Sequence, residues 1–242
     1  MNKKLTYVVL GLLMSSPALS ATVTKVGTNF DVVYDDTKLG LFGGLDLVGN
    51  NLFFTPNNFK AESYNGTGLN VTSSTVNDIL LIAKGDFKFG SISLQEFGDY
   101  FLLGGGQVNL GGQLRAFDPA SPFATQSSDN IFVSPTTPLS ANDGVNHDWY
   151  GGAKISNTTS TIIPGNAGWL SSASKVVISV ENILTAFTPA NLSGPQGAFI
   201  EKKFVGVGVD MVMTSAVPEP ETWISLLSGL LLVGFVVSRR KY

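Results

Sequence analysis

The chain contains no cysteine. It therefore holds no disulfide, and thiolate zinc sites, iron–sulfur clusters and cysteine nucleophiles are excluded. It has one histidine, His147, so any histidine-based chemistry would have to form around that single ring. Charge is scarce as well, at 14% of residues. A formal net charge of -3 gives no basic footprint for nucleic acid, so no nucleic-acid partner is expected. No amphipathic helix longer than three turns is evident; the best local candidate, a turn or two around Val76 to Leu81, carries β-branched residues that favour strand.

What the 242-residue chain does have is apolar residues, 43% of the total, and these are gathered at its two ends. Lys3 and Lys4 precede an apolar run from Leu5 to Met14, followed by Pro17 and by the small residues Ala18 and Ser20. That order is a signal peptide over residues 1–20, read by the Sec translocon and cut by signal peptidase ahead of Ala21. At the other end stand Pro218, Glu219 and Pro220, a charge-free run from Trp223 to Ser238, and the basic cluster Arg239, Arg240 and Lys241. A helix over Trp223 to Val237 would be roughly 22 Å long at about 1.5 Å per residue, a marginal span for a hydrocarbon core of roughly 30 Å. The basic cluster would stay cytoplasmic and act as a membrane stop, leaving the body on the outside.

The Pro-Glu-Pro sequence, the short apolar helix and the terminal basic cluster together resemble the PEP-CTERM sorting signal of Gram-negative exported proteins. The resemblance implies recognition by an exosortase-type membrane protease that cuts at or near Pro218 to Pro220, and a setting in exopolysaccharide, biofilm or floc matrix. It implies a transient stay in the inner membrane, then delivery to the outer surface or extracellular matrix. Stretches of the body, among them Gly27 to Asp36, Leu52 to Pro56, Glu96 to Tyr100 and Ala198 to Phe204, are similar to segments in a subset of these proteins.

Three segments follow: the signal peptide 1–20, an exported domain 21–217, and the sorting signal 218–242. Between residues 22 and 217 there are 10 Lys and Arg against 16 Asp and Glu, so the body is acidic while both ends are basic. Period-two alternation recurs through it. Phe30, Val32 and Tyr34 alternate with polar neighbours, as do Val108, Leu110 and Leu114, and the odd positions from Val205 to Met213. Further strands are predicted at Leu52–Phe54, Asp78–Lys84, Lys88–Gln95, Asn130–Ser134 and Lys175–Asn182, separated by Gly, Pro, Asn and Asp clusters. The predicted fold is all-β, an antiparallel β-sandwich or jelly-roll-like single domain of nine to twelve strands. Residues 116–128 and 134–163 read as long loops, the second with room for an inserted hairpin.

No catalytic constellation stands out, so the chain reads as a non-enzyme. A carboxylate pair for glycoside hydrolysis would need only two acids in a cleft, and nothing points to one. Cofactors are not expected beyond a weak oxygen-ligand cation reading, in which Asp35, Asp36, Asp143 and Asp148 sit in Asp- and Asn-rich turns of the kind Ca²⁺ uses. The ordinary role of such residues is to turn the chain. Gly104 to Gly106, and Gly111 with Gly112, lack the flanking residues of a phosphate loop and are read as strand-end and hairpin glycines. The first functional reading is thus a structural exported protein. The alternative is a carbohydrate-binding module, Ca²⁺-assisted in one version, that stacks sugars on the loop aromatics Trp149, Tyr150 and Trp169; a secreted hydrolase comes third.

Overall fold

Val32 and its neighbours set the rule for the whole structure: Phe30, Val32 and Tyr34 are buried while Asp31, Val33 and Asp35 are only half-covered, so one face of each strand meets a core. The computed structural model describes residues 22–135, 139–156, 168–169, 173–214 and Ser228. The signal-peptide positions Ala18, Ser20 and Ala21 lie outside the described residues, as do Pro218, Glu219, Pro220, Arg239, Arg240 and Lys241. Among the described residues no helix is long and apolar enough to cross a membrane.

Thirteen strands are described: β1 (Thr22–Val26), β2 (Phe30–Asp35), β3 (Gly44–Val48), β4 (Asn51–Thr55), β5 (Lys60–Tyr64), β6 (Gly68–Ala83), β7 (Phe87–Leu103), β8 (Gln107–Phe117), β9 (Ser127–Asn130), β10 (Phe132–Ser134), β11 (Asn146–Ser156), β12 (Lys175–Thr188) and β13 (Gly197–Met213). One short helix, α1 (Pro122–Thr125), and two 3₁₀ turns at Asp36–Lys38 and Gly40–Phe42 interrupt them. The chain is all-β, in two antiparallel sheets. One runs β1-β2-β6-β12-β8-β9; the other runs β10-β11-β7-β13-β4-β3, with β5 also paired to β13. Val76, Leu81, Leu114 and Ile178 from the first sheet meet Ile92, Leu94, Ile200 and Val207 from the second in a single sandwich-like core.

Long strands keep one face inward only by inserting bulges. Val76 and Ile79 are three residues apart and both buried, because the β6–β12 register shifts there and Asp78 adopts a φ of 62°. The β7–β13 register shifts between Lys202 and Phe204, leaving Lys203 as the extra residue.

Three expectations change. The stretch 134–163, read as a loop with room for a hairpin, contains β11, an eleven-residue strand lying between β10 and β7. Gly111 and Gly112 sit inside β8, not at a turn, and a side chain on Gly112 would run into the carbonyl of Glu181. The strand count also exceeds twelve.

Candidate functional site

Four strands of the second sheet, β4, β13, β7 and β11, each contribute one ring to a continuous row on its outer face. Tyr150 stands opposite Phe97, Phe97 opposite Phe204, and Phe204 leans over Gly206 toward Phe53. Centroid separations along the row are 5.8 Å for Phe53–Phe204, 4.8 Å for Phe204–Phe97 and 6.5 Å for Phe97–Tyr150. The central pair is stacked, with an interplanar angle of 17°. Phe97 is 42% exposed and Tyr150 58%, so apolar ring surface is presented to solvent. Phe132, 64% exposed, lies over Gly152 at the neighbouring edge.

The bulge builds this row. In strict alternation Phe204 would share the inward phase of Lys202 and Ile200. The extra residue, Lys203, moves Phe204 outward beside Phe97 and returns Val205 to the core. Gly206 matters for a related reason: a Cβ there would lie 3.0 Å from the Phe204 ring, so the glycine leaves the ring room to lie close over the backbone.

The row divides two polar regions. On one side Asn51, Ser93 and Gln95 border a depression of about 80 Å³ beside Phe53, Phe204 and Gly206. The carboxamides of Asn51 and Gln95 make no hydrogen bond among the described residues. On the other side Lys203 Nζ donates to Asp99 Oδ2 at 2.8 Å. That bond, with further attraction from Glu201 and Asp148, raises the Lys203 pKa above its ordinary value.

Directly beneath the row the same strands enclose a buried charge pair. The Lys202 ammonium donates to Glu96 Oε2 with neither side chain exposed, and among the described residues Glu96 Oε1 and Asp99 Oδ1 find no hydrogen-bond partner. Lys202 Nζ lies 5.5 Å from the ring centroids of both Trp149 and Phe59. Burial lowers the Lys202 pKa to about 8, against the opposing pull of Glu96.

Trp149 and Trp169, expected as exposed stacking platforms, are both fully buried. Trp149 belongs to β11, not to a loop, and points inward; it faces Gly98, whose lack of a side chain admits the indole. Its Nε1 donates to the Glu201 carbonyl at 3.1 Å. An inward-facing strand position buries an apolar ring whatever its neighbours in sequence, and the Asn- and Gly-rich context of Trp149 concealed that phase. Tyr150, one residue along, points outward and does belong to the exposed row. Phe53, Phe97 and Phe204 were missed; their signal was aromatic residues at outward-phase positions of separate strands.

The aspartates serve local purposes. Asp35 accepts from Thr37 N and Oγ1 at 3.0 and 2.6 Å, capping the turn that Asp36 opens. Asp143 meets His147 Nε2 at 3.0 Å, a contact that lowers its pKa, and it also accepts from Val145 N. Asp148 lies on β11 near Lys203. Among the described residues no three His, Asp or Glu side chains gather as a metal-ligand group.

No family model matches this chain, and no curated protein matches it. Among solved structures it has a likeness to the chain described as "Structure of infectious bursal disease virus Gt strain", at 12% identity over 93% of this chain and a TM-score of 0.20. The match spans 66% of that viral chain, and at this score it carries no argument about fold or function.

Proposed function

We propose that this chain is a non-enzymatic exported protein of the cell surface or extracellular matrix whose β-domain binds a neutral polysaccharide on its aromatic row. The observation that carries the binding role is the line of four rings across four neighbouring strands, with Phe97 and Tyr150 exposed, bordered by uncommitted carboxamides. Sugar rings present apolar C–H faces that stack on aromatic surfaces, and their hydroxyls both donate and accept, as Asn and Gln do. Successive rings come from adjacent strands and their centroids lie 5.8, 4.8 and 6.5 Å apart, so the row is an extended track suited to an extended β-1,4-linked chain better than to a coiled one. The depression at Asn51, Ser93 and Gln95 holds no charged side chain, which favours an uncharged glycan.

Delivery is the second half of the proposal. The signal peptide 1–20 sends the chain through the Sec translocon, the basic cluster Arg239, Arg240 and Lys241 stops the tail in the membrane, and an exosortase-type protease acts at or near Pro218, Glu219 and Pro220. The jelly-roll or sandwich domain is then the cargo, and exopolysaccharide its natural partner.

Titration calorimetry of the mature protein with cellohexaose, and with polygalacturonate as the acidic control, tests the binding role. Cellohexaose should bind, polygalacturonate should not, and Tyr150→Ala or Phe97→Ala should each weaken binding about tenfold, or 1.4 kcal/mol. Heat from the acidic chain alone, or binding untouched by both substitutions, overturns the reading. For delivery, replacing Pro218, Glu219 and Pro220 with alanine should abolish C-terminal processing; unchanged fractionation and intact mass would sink that half.

A further inference from the structure

The outer face of the other sheet carries a larger feature. Where β7 passes into β8, a groove of about 760 Å³ opens among the ends of β6, β12 and β8 and the segment around Leu139, which bridges to Val108. This volume lies in the roughly 300–1,000 Å³ range of ligand clefts. Leu69 and Phe187 form apolar floor, and Leu69 is 65% exposed although it lies on a strand. Gln107, Asn109, Asn142 and Ser140 supply the polar wall. Among the described residues none of these four side chains makes a hydrogen bond, and none of those lining the groove is Asp, Glu, Lys, Arg or His.

That composition selects a class of occupant. An anionic or cationic ligand would find no counter-charge, and an acyl chain would strip water from three carboxamides and a hydroxyl without replacing their hydrogen bonds. A neutral glycan satisfies both parts, since it lays C–H surface on Leu69 and Phe187 and its hydroxyls pair with groups that both donate and accept. The aromatic row offers the same chemistry on the opposite side of the molecule. Gln107, Asn109 and Phe187 take the outward phase of β8 and β12, whereas Phe97 and Tyr150 take the outward phase of β7 and β11 in the other sheet.

We propose that the groove is a second neutral-glycan site, so that one molecule ties together two polysaccharide chains held on its opposite faces. The bridging role rests on the reading of the aromatic row as a glycan site; the groove site itself does not. Two modest sites that face apart cannot both close on one short oligosaccharide, yet on long chains they act as a divalent cross-link whose avidity exceeds either affinity. A monomer then suffices to reinforce a matrix.

The test uses the mature protein, cellohexaose for counting sites and hydroxyethylcellulose for bridging. Three variants are compared after circular dichroism has verified their fold: Phe97→Ala with Tyr150→Ala in the row, Asn109→Ala with Phe187→Ala in the groove, and all four together. Calorimetry should give two cellohexaoses per wild-type molecule, one for each two-residue variant and none for the four-residue variant. Wild-type protein should raise the viscosity of hydroxyethylcellulose severalfold, and each two-residue variant should lose that effect while still binding the hexamer. One site in the wild type, unaffected by the groove variant, overturns the second site and leaves the row standing. One site abolished by the groove variant and indifferent to the row variant overturns the row and the bridge together. Two sites without any rise in viscosity overturn the bridge alone, and no binding overturns all three.

Discussion

The Lys202 ammonium is held against the Glu96 carboxylate in the core, with both side chains fully removed from solvent. A buried pair of this kind adds little net stability but is costly to break, because its survivor is left charged and dry. Lys202→Met should cost about 3–5 kcal/mol. Adding Glu96→Leu should recover most of that loss, since neither charge then remains. Urea denaturation of the two single variants and the double variant measures the coupling; additive losses would refute it.

The same lysine makes stability depend on alkaline pH. Its folded pKa is lowered to about 8 from an ordinary value of 10.5. Below pH 8 both folded and unfolded chains carry the proton and this group contributes no slope. Between pH 8 and 10.5 the unfolded chain binds a proton that the folded chain has lost, so stability should rise with pH, by up to about 1.4 kcal/mol per unit. Chemical denaturation at pH 7.5, 9 and 10 should show the rise in wild type and a flatter profile in Lys202→Met.

Gly98 has no room for a side chain. A Cβ there would lie 1.9 Å from the Glu201 carbonyl oxygen and 2.8 Å from Trp149 Cζ2. Gly98→Ala should therefore destabilise by about 1–3 kcal/mol through overpacking and disturb the Trp149 indole. Thermal melts give the loss, and a red shift of tryptophan emission relative to wild type reports the displaced ring.

Lys203 occupies the bulge and pairs with Asp99. Lys203→Ala removes an ion pair whose ammonium is half-exposed but whose Asp99 carboxylate is buried, and should cost about 1–3 kcal/mol by leaving that acceptor unpaired. Deleting Lys203 closes the bulge without changing any face, because Phe204 then follows Lys202 directly and still stands outward opposite Phe97. The deletion variant and Lys203→Ala should therefore both keep cooperative unfolding in urea and glycan binding by calorimetry; loss of both in the deletion variant would refute the assignment of Lys203 as the extra residue.

Much of this architecture was legible as alternation. Phe30, Val32 and Tyr34 face inward as read, and the alternation read from Val205 to Met213 lies within β13. Bulges were the main concealment. Val76 and Ile79 have the three-residue spacing of a helical turn, yet the spacing arises from one extra residue in a strand. β11 escaped because Asn146, Gly151 and Gly152 dilute its pattern, and pairing on both sides, with β10 and β7, overrides weak propensity. Lys202 and Glu96 were invisible as core because a charged residue is assumed to be wet. Their phase, shared with Ile200 and Leu94, was the available clue. The aromatic row could not be seen at all without the register that aligns Phe53, Phe204, Phe97 and Tyr150 from distant parts of the chain.

β13 has a mechanical consequence. It is the last described strand, seventeen residues long, hydrogen-bonded along one edge to β7 and along the other to β4 and β5. Tension applied beyond Met213 acts along the strand axis and loads those rows of bonds in parallel, as shear, instead of peeling them one at a time. The domain is strongest in the direction in which anything attached to its C-terminal end would pull.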